Sequence, residues 1–229
     1  MSVHFQREIN RLKKKLLSLS ALVEESVAKA VTAIRDRDSG MAKQVIENDL
    51  RIDALDIDIE EECQKILALH QPLAHDLRFI IAVIKINGTL EHIGDCAVNI
   101  AERALFLCEE PHLDIPFDFT GMSEKARNML RRALDALVNQ DEYLAYQVIS
   151  ADDEVDQINR EMYGQVKDGI RKRPEDLEAL IHLLSISRHV ERIADLASHI
   201  AEEVIYCVKG DIVRHRTEQF RPHVEDGVE

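Results

Sequence analysis

A chain of 229 residues that is 45% hydrophobic is long enough to bury a sizeable core, in one large or two small domains. With 4% aromatic residues, no Trp, 8 Gly and 5 Pro, its composition argues against a β-rich fold. A formal net charge of -14 argues against a nucleic-acid binder, which needs cationic groups against phosphate, and suits cations, basic partners or simple solubility.

The chain opens MSVHFQREINRLKKKLL, with no apolar leader stretch, so a secretory signal is not expected. Phe5, Ile9, Leu12, Leu16 and Leu19 recur at four-three spacing and predict a first helix. Its basic run, Arg11, Lys13, Lys14 and Lys15, reads as a solvated face. Asp36-Arg37-Asp38-Ser39-Gly40 breaks the pattern. Ile52, Leu55, Ile59, Cys63 and Ile66 predict a second helix, which ends at Gln71-Pro72. His75-Asp76 reads as the cap of a third helix, carried by Leu90, Ile93, Ala97, Ala101 and Leu105. The aliphatic run from Ile80 to Ile84 stops at Lys85, far short of a membrane span. PHLDIPFDFTG, residues 111–121, holds two prolines and a glycine and reads as a linker. Later breaks fall near Asn139-Gln140-Asp141 and at Arg173-Pro174, which makes six helices in two groups of three. Several run about 30 residues, or about 45 Å at the helical rise. After Gly210 the periodicity fades, and residues 211–229 read as a mobile tail. The cysteines, Cys63, Cys96, Cys108 and Cys207, form no CxxC pair, so a reduced, cytoplasmic setting is expected.

The chain says the same thing twice. LEHIGDCAVNIAE (90–102) returns as VERIADLASHIAE (190–202), an offset of 100. MAKQVIENDLRIDAL (41–55) returns as LAYQVISADDEVDQI (144–158), an offset of 103, and AVTAIRDRD (30–38) matches ALDALVNQD (133–141) at the same offset. The first copy therefore carries three more residues in between, placed at its Gln71-Pro72 turn. This is a tandem duplication of a three-helix unit, and three helices joined by short turns make an antiparallel bundle. The units are residues 1–110 and 122–210, joined by the linker.

Each copy carries two acid pairs at four-residue spacing. Asp49 and Asp53 lie along one edge of the apolar arc of the second helix, and Glu91 and Asp95 along an edge of the third. Asp152, Asp156, Glu191 and Asp195 repeat the arrangement. Glu102 and Glu202 continue the stripe, and Asn99 and His199 occupy its next turn. A lone pair at this spacing is most often a solvated face. If the two helices pack by their apolar arcs, however, each copy gathers four carboxylates beside one seam. Two charges about 5 Å apart at an effective dielectric of about 20 cost about 3 kcal/mol, and a bound cation resolves that repulsion. All-oxygen ligands suit Mg²⁺, Ca²⁺, Mn²⁺ or iron, and His199 shifts the second copy toward iron or zinc. The competing readings are a carboxylate-bridged metalloenzyme of the helical-bundle type and a metal-free helical scaffold. The first lacks the repeated Glu-x-x-His of such enzymes. No phosphate loop, nucleophile elbow or Cys-His arrangement is written, so no enzymatic activity is expected.

QVIENDLRIDALDIDIEEEC, HQPLAHDLRFIIAVIKI, and the paired LEHIGDCAVNIAE and VERIADLASHIAEEVIY together resemble the PhoU family of bacterial phosphate-signalling regulators, over residues 5 to 210. The resemblance implies an all-α fold of two three-helix bundles related by pseudo-twofold symmetry. It implies multinuclear metal clusters, iron in some members, held here by Asp49/Asp53 with Glu91/Asp95 and by Asp152/Asp156 with Glu191/Asp195. It further implies an adaptor between a phosphate ABC transporter ATPase and a membrane sensor histidine kinase, which represses the phosphate-starvation response when phosphate is plentiful. A homodimer, located in the cytoplasm or peripherally at the inner membrane face through protein contacts, is the expected form. The chain departs from the usual GDHA phrase at Gly94-Asp95-Cys96-Ala97 and Ala194-Asp195-Leu196-Ala197, and His199 stands where Asn99 keeps the usual asparagine.

Overall fold

The computed structural model of the chain describes residues 3–111 and 119–213. They form six helices: α1 (Val3–Asp36), α2 (Ser39–His70), α3 (Ala74–Glu109), α4 (Phe119–Asn139), α5 (Glu142–Lys172) and α6 (Leu177–Lys209). A single 3-10 turn, Pro174–Asp176, precedes α6, and no strand occurs among the described residues.

Each turn has a local chemical cause. Arg37 takes a left-handed conformation (φ 52°), and the Asp38 N–H donates back to the Ala33 carbonyl at 2.9 Å. The Asp38 carboxylate then caps α2 by accepting from the Met41 N–H at 2.9 Å. The α4–α5 turn repeats this, with Gln140 at φ 52°, the Asp141 N–H donating to Ala136, and the Asp141 carboxylate accepting from the Leu144 N–H at 3.0 Å. At the next turn the copies diverge. α2 ends at His70 and α3 opens at Ala74, whereas α5 ends at Lys172 and Pro174, the counterpart of Ala74, opens the 3-10 turn that leads into α6. At offsets of 103 and 100, residues 71–73 are the three without a counterpart. Gly210 closes α6 in the left-handed region (φ 88°), its N–H donating to the Tyr206 carbonyl at 2.8 Å.

Three local expectations change. Asp76 does not cap α3: Leu73 precedes the helix without a side-chain cap bond, and Asp76 lies in the first turn, where its charge suits the helix dipole. Lys15 is not solvated, because its side chain turns inward to Asp58 (2.8 Å) and Glu62 (3.2 Å) on α2. α4 begins at Phe119, inside the stretch read as linker. Residues 112–118 and 214–229 lie outside the described residues, while Val213 is buried in the core.

The apolar arcs read from the sequence are the core. Leu12, Leu16 and Leu19 of α1, Ile52, Ile59, Cys63 and Ile66 of α2, and Leu90, Ile93 and Ala97 of α3 are all buried. α1, α2 and α3 pack on one another, as do α4, α5 and α6, and the two bundles join along α3 and α6 with α1 beside α4. Residues of both bundles share one continuous hydrophobic cluster. The seam is antiparallel. Lys85 pairs with Glu203 at 3.0 Å, the Arg103 guanidinium donates to the Ser185 hydroxyl at 2.6 Å, and Phe106 stacks on His182 with ring centres 3.9 Å apart. At the offset of 100, Ser185 is the counterpart of Lys85 and Glu203 of Arg103. One pair of positions is thus used twice, as a pseudo-twofold axis requires. Gly94 lies midway between Lys85 and Arg103, and its counterpart Ala194 midway between Ser185 and Glu203.

Candidate metal centre

In the second bundle, packing α5 against α6 brings the acidic edges together. Asp156, Glu191 and Asp195 each offer a carboxylate oxygen, and these oxygens lie within 4.8 Å of one another. Among the described residues no other set of three His, Cys, Asp or Glu side chains is gathered so tightly. Asp152, one turn earlier on α5, has an oxygen that is enclosed without a hydrogen-bond partner. Burial first, then the charges of Asp195, Asp156, Glu191 and Asp153, push its carboxyl up to about 7. Burial and the neighbouring acids also raise Asp156 and Glu191 above the ordinary carboxylate range. Arginines oppose the rise, Arg160 at Asp156 and Arg192 and Arg188 at Glu191. Arg192 also lies 3.4 Å from Asp195.

The first bundle presents the same acids on α2 and α3. Burial, then Asp53 and Asp95, raise Asp49. Burial, then Asp95, Asp56, Asp53 and Asp49, raise Glu91. The four predicted acids therefore share one electrostatic field. They share it with a fifth, Asp56, which the sequence reading missed. Asp56 is half-buried, accepts from the Asn87 side-chain N–H at 2.6 Å, and is itself raised by burial, Glu60 and Asp53. Its counterpart is Asn159, so a search for acids repeated in both copies passes over it. The signal was its position three residues beyond Asp53, on the same helical face. Gly94 sets the closeness of the two helices. A Cβ there would lie 3.2 Å from Cδ1 of Ile52 and 3.6 Å from Oδ1 of Asp49.

The outer stripe residues have other occupations. Asn99 donates to the Asp95 carbonyl at 2.8 Å and accepts from Arg103 at 3.3 Å. Glu102 is exposed and pairs with Arg103 at 3.6 Å. His199 is exposed, and Glu202 is half-buried. Burial pushes the Cys96 thiol, next to Asp95 in the chain, up to about 11. What remains is an all-carboxylate arrangement, crowded, partly desolvated, and with one enclosed oxygen lacking a donor. That donor set fits a hard or intermediate cation.

A PhoU domain model matches residues 16–104 and 119–204, one stretch per repeat. The phosphate-specific transport system accessory protein PhoU homolog of Aquifex aeolicus is 38% identical over 210 residues, covering 92% of this chain and 95% of that protein. The phosphate-specific transport system accessory protein PhoU of Escherichia coli is 30% identical over 215 residues, covering 94% and 89%. The crystal structure of PhoU from Pseudomonas aeruginosa superposes with a TM-score of 0.87 at 37% identity, over 90% of this chain and 100% of that one. The crystal structure of the phosphate transport system regulatory protein PhoU from Streptococcus pneumoniae gives 0.81 at 30% identity, over 91% and 99%. Matched in both repeats, along nearly its whole length and in three dimensions, the chain belongs to the PhoU family.

Proposed function

We propose that the chain is a non-enzymatic, metal-binding regulator of phosphate uptake that represses the phosphate-starvation response when phosphate is abundant. It works at the cytoplasmic face of the membrane as an adaptor between the ATPase subunit of a phosphate ABC transporter and a sensor histidine kinase, as a homodimer. Its relatives, accessory and regulatory proteins of phosphate transport by name, support the regulatory half. The observation that carries the metal half is the gathering of Asp156, Glu191 and Asp195 on facing edges of α5 and α6, with Asp152 beside them. Asp152, Asp156, Glu191 and Asp195 would hold one cation or cluster, and Asp49, Asp53, Glu91 and Asp95 the other. Iron, as a multinuclear cluster, is the leading candidate, and Mn, Zn, Mg and Ca suit the same ligands. The cation supplies positive charge that neutralises the acids. The residues then tie α2 to α3 and α5 to α6. No helix among the described residues is long and apolar enough to cross a membrane. Exposed helix faces, such as that carrying Leu50 and Ile57 on α2, are available to partner proteins.

Elemental analysis of protein purified without chelator should find bound metal, and Asp95→Ala combined with Asp195→Ala should remove most of it. Wild-type protein that arrives metal-free and takes up no iron, manganese or zinc would refute the metal half. Deleting the gene should leave phosphate-starvation genes switched on in abundant phosphate. Normal repression in that strain would refute the regulatory half.

A further inference from the structure

We infer that the two carboxylate sites are not equivalent, and that Arg192 sets them apart as a tethered counter-charge lowering the cation affinity of the second site below that of the first. This rests on the metal-binding reading above and concerns how that binding is graded between the repeats.

Five counterpart positions that act on the acids differ in charge, and four of them shift it in the same direction; the fifth, Leu50 against Asp153, opposes them. Ile57, Gly88 and His92 of the first repeat correspond to Arg160, Arg188 and Arg192 of the second, and Asp56 corresponds to Asn159. The influences on Asp49 and Glu91 in the first repeat are burial and other acids alone. In the second, guanidinium groups act on Asp156 and Glu191 as well. Arg192 has the most direct contact. Its Nη1 lies 3.4 Å from Oδ2 of Asp195, on one of the three acids that gather within 4.8 Å.

That position works on both sides of the binding equilibrium. In the cation-free protein, Arg192 offsets part of the repulsion among Asp156, Glu191 and Asp195 and so stabilises the empty arrangement. Once a cation is held there, Arg192 is a like charge beside it. Both effects reduce the free energy gained on binding. Each site has a fifth carboxylate, Asp56 in the first and Asp153 in the second, but only the second has the counter-charge, so the first takes up cation more strongly and fills first.

The test is calorimetric titration of Mn²⁺ into Asp95→Ala, which leaves the second site, and into Asp195→Ala, which leaves the first. The first site should bind more tightly, by about tenfold, the factor for one additional partly screened charge. Adding Arg192→His to Asp95→Ala should tighten the second site by a similar factor. Adding His92→Arg to Asp195→Ala should weaken the first. A damaged fold weakens whichever site is measured, so the predicted tightening distinguishes counter-charge from misfolding. Equal affinities unmoved by either exchange overturn the inference, as does tighter binding at the second site. If neither background nor the wild type takes up Mn²⁺, the metal reading itself falls, and this inference with it.

Discussion

Asp152 connects the site to a measurable pH dependence. Its carboxyl moves from an ordinary 3.8 to about 7 in the folded, metal-free protein. Between those values the folded state holds a proton that the unfolded state has released. The stabilisation is complete below 3.8 and is lost as pH rises through about 7. Asp49, Asp156 and Glu191 are raised too and act with the same sign. Thermal melts in chelator should therefore show falling stability from pH 5 to pH 8. Asp152→Asn should flatten part of that slope, and saturating metal should reverse it, because a cation favours the deprotonated form. A slope identical in wild type and Asp152→Asn would place the titration elsewhere. The gathering of Asp156, Glu191 and Asp195 was legible in part, because four-residue spacing on a predicted helix fixes a shared face. The arginines of the second site stand three or four residues from the acids they face, Arg160 from Asp156, Arg188 from Glu191 and Arg192 from Asp195, but they have no basic counterpart in the first repeat, so a search for repeated acids passes over their role. Lys15 eluded the reading because its stem covers apolar surface while its charge reaches Asp58 and Glu62.

Between elements, the separation of α2 and α3 depends on Gly94. An added Cβ would press on Ile52 at 3.2 Å and 3.3 Å, closer than ordinary contact. The second repeat solves the same packing differently. There Ala194 replaces Gly94 and Val155 replaces Ile52, so a methyl gained on one helix is a methyl lost from the other. Gly94→Ala should thus destabilise the protein by about 1–3 kcal/mol, as overpacking does. Ile52→Val on top of it should recover most of that loss, giving a favourable coupling in a double-mutant cycle read by denaturant unfolding. Additive losses would show that the helices do not meet there. The helix count and the turns were legible from periodicity and breaks, down to the three surplus residues near Gln71. The onset of α4 was not, because Phe119-Thr120-Gly121 follows two prolines and ends in a glycine, which reads as turn chemistry, yet the helix runs back to Phe119.

At the scale of the molecule, the seam between α3 and α6 was the least visible feature in the sequence. Helical periodicity reports which face is buried, not which of two bundles buries it. The seam can be tested through its ion pair. Glu203 is buried while Lys85 is partly exposed, so Glu203→Lys should set two ammonium groups together and cost on the order of 3 kcal/mol. Combining it with Lys85→Glu should restore much of the stability, and no recovery would mean that Glu203 answers chiefly to other groups. The two uses of this pair of positions also carry information about assembly during synthesis. A first half facing another first half would set Lys85 against Arg103 twice, a doubly repulsive match. A second half facing its own kind would set only Ser185 against Glu203. The half that emerges earlier from the ribosome is therefore the one whose charges refuse a neighbouring nascent chain.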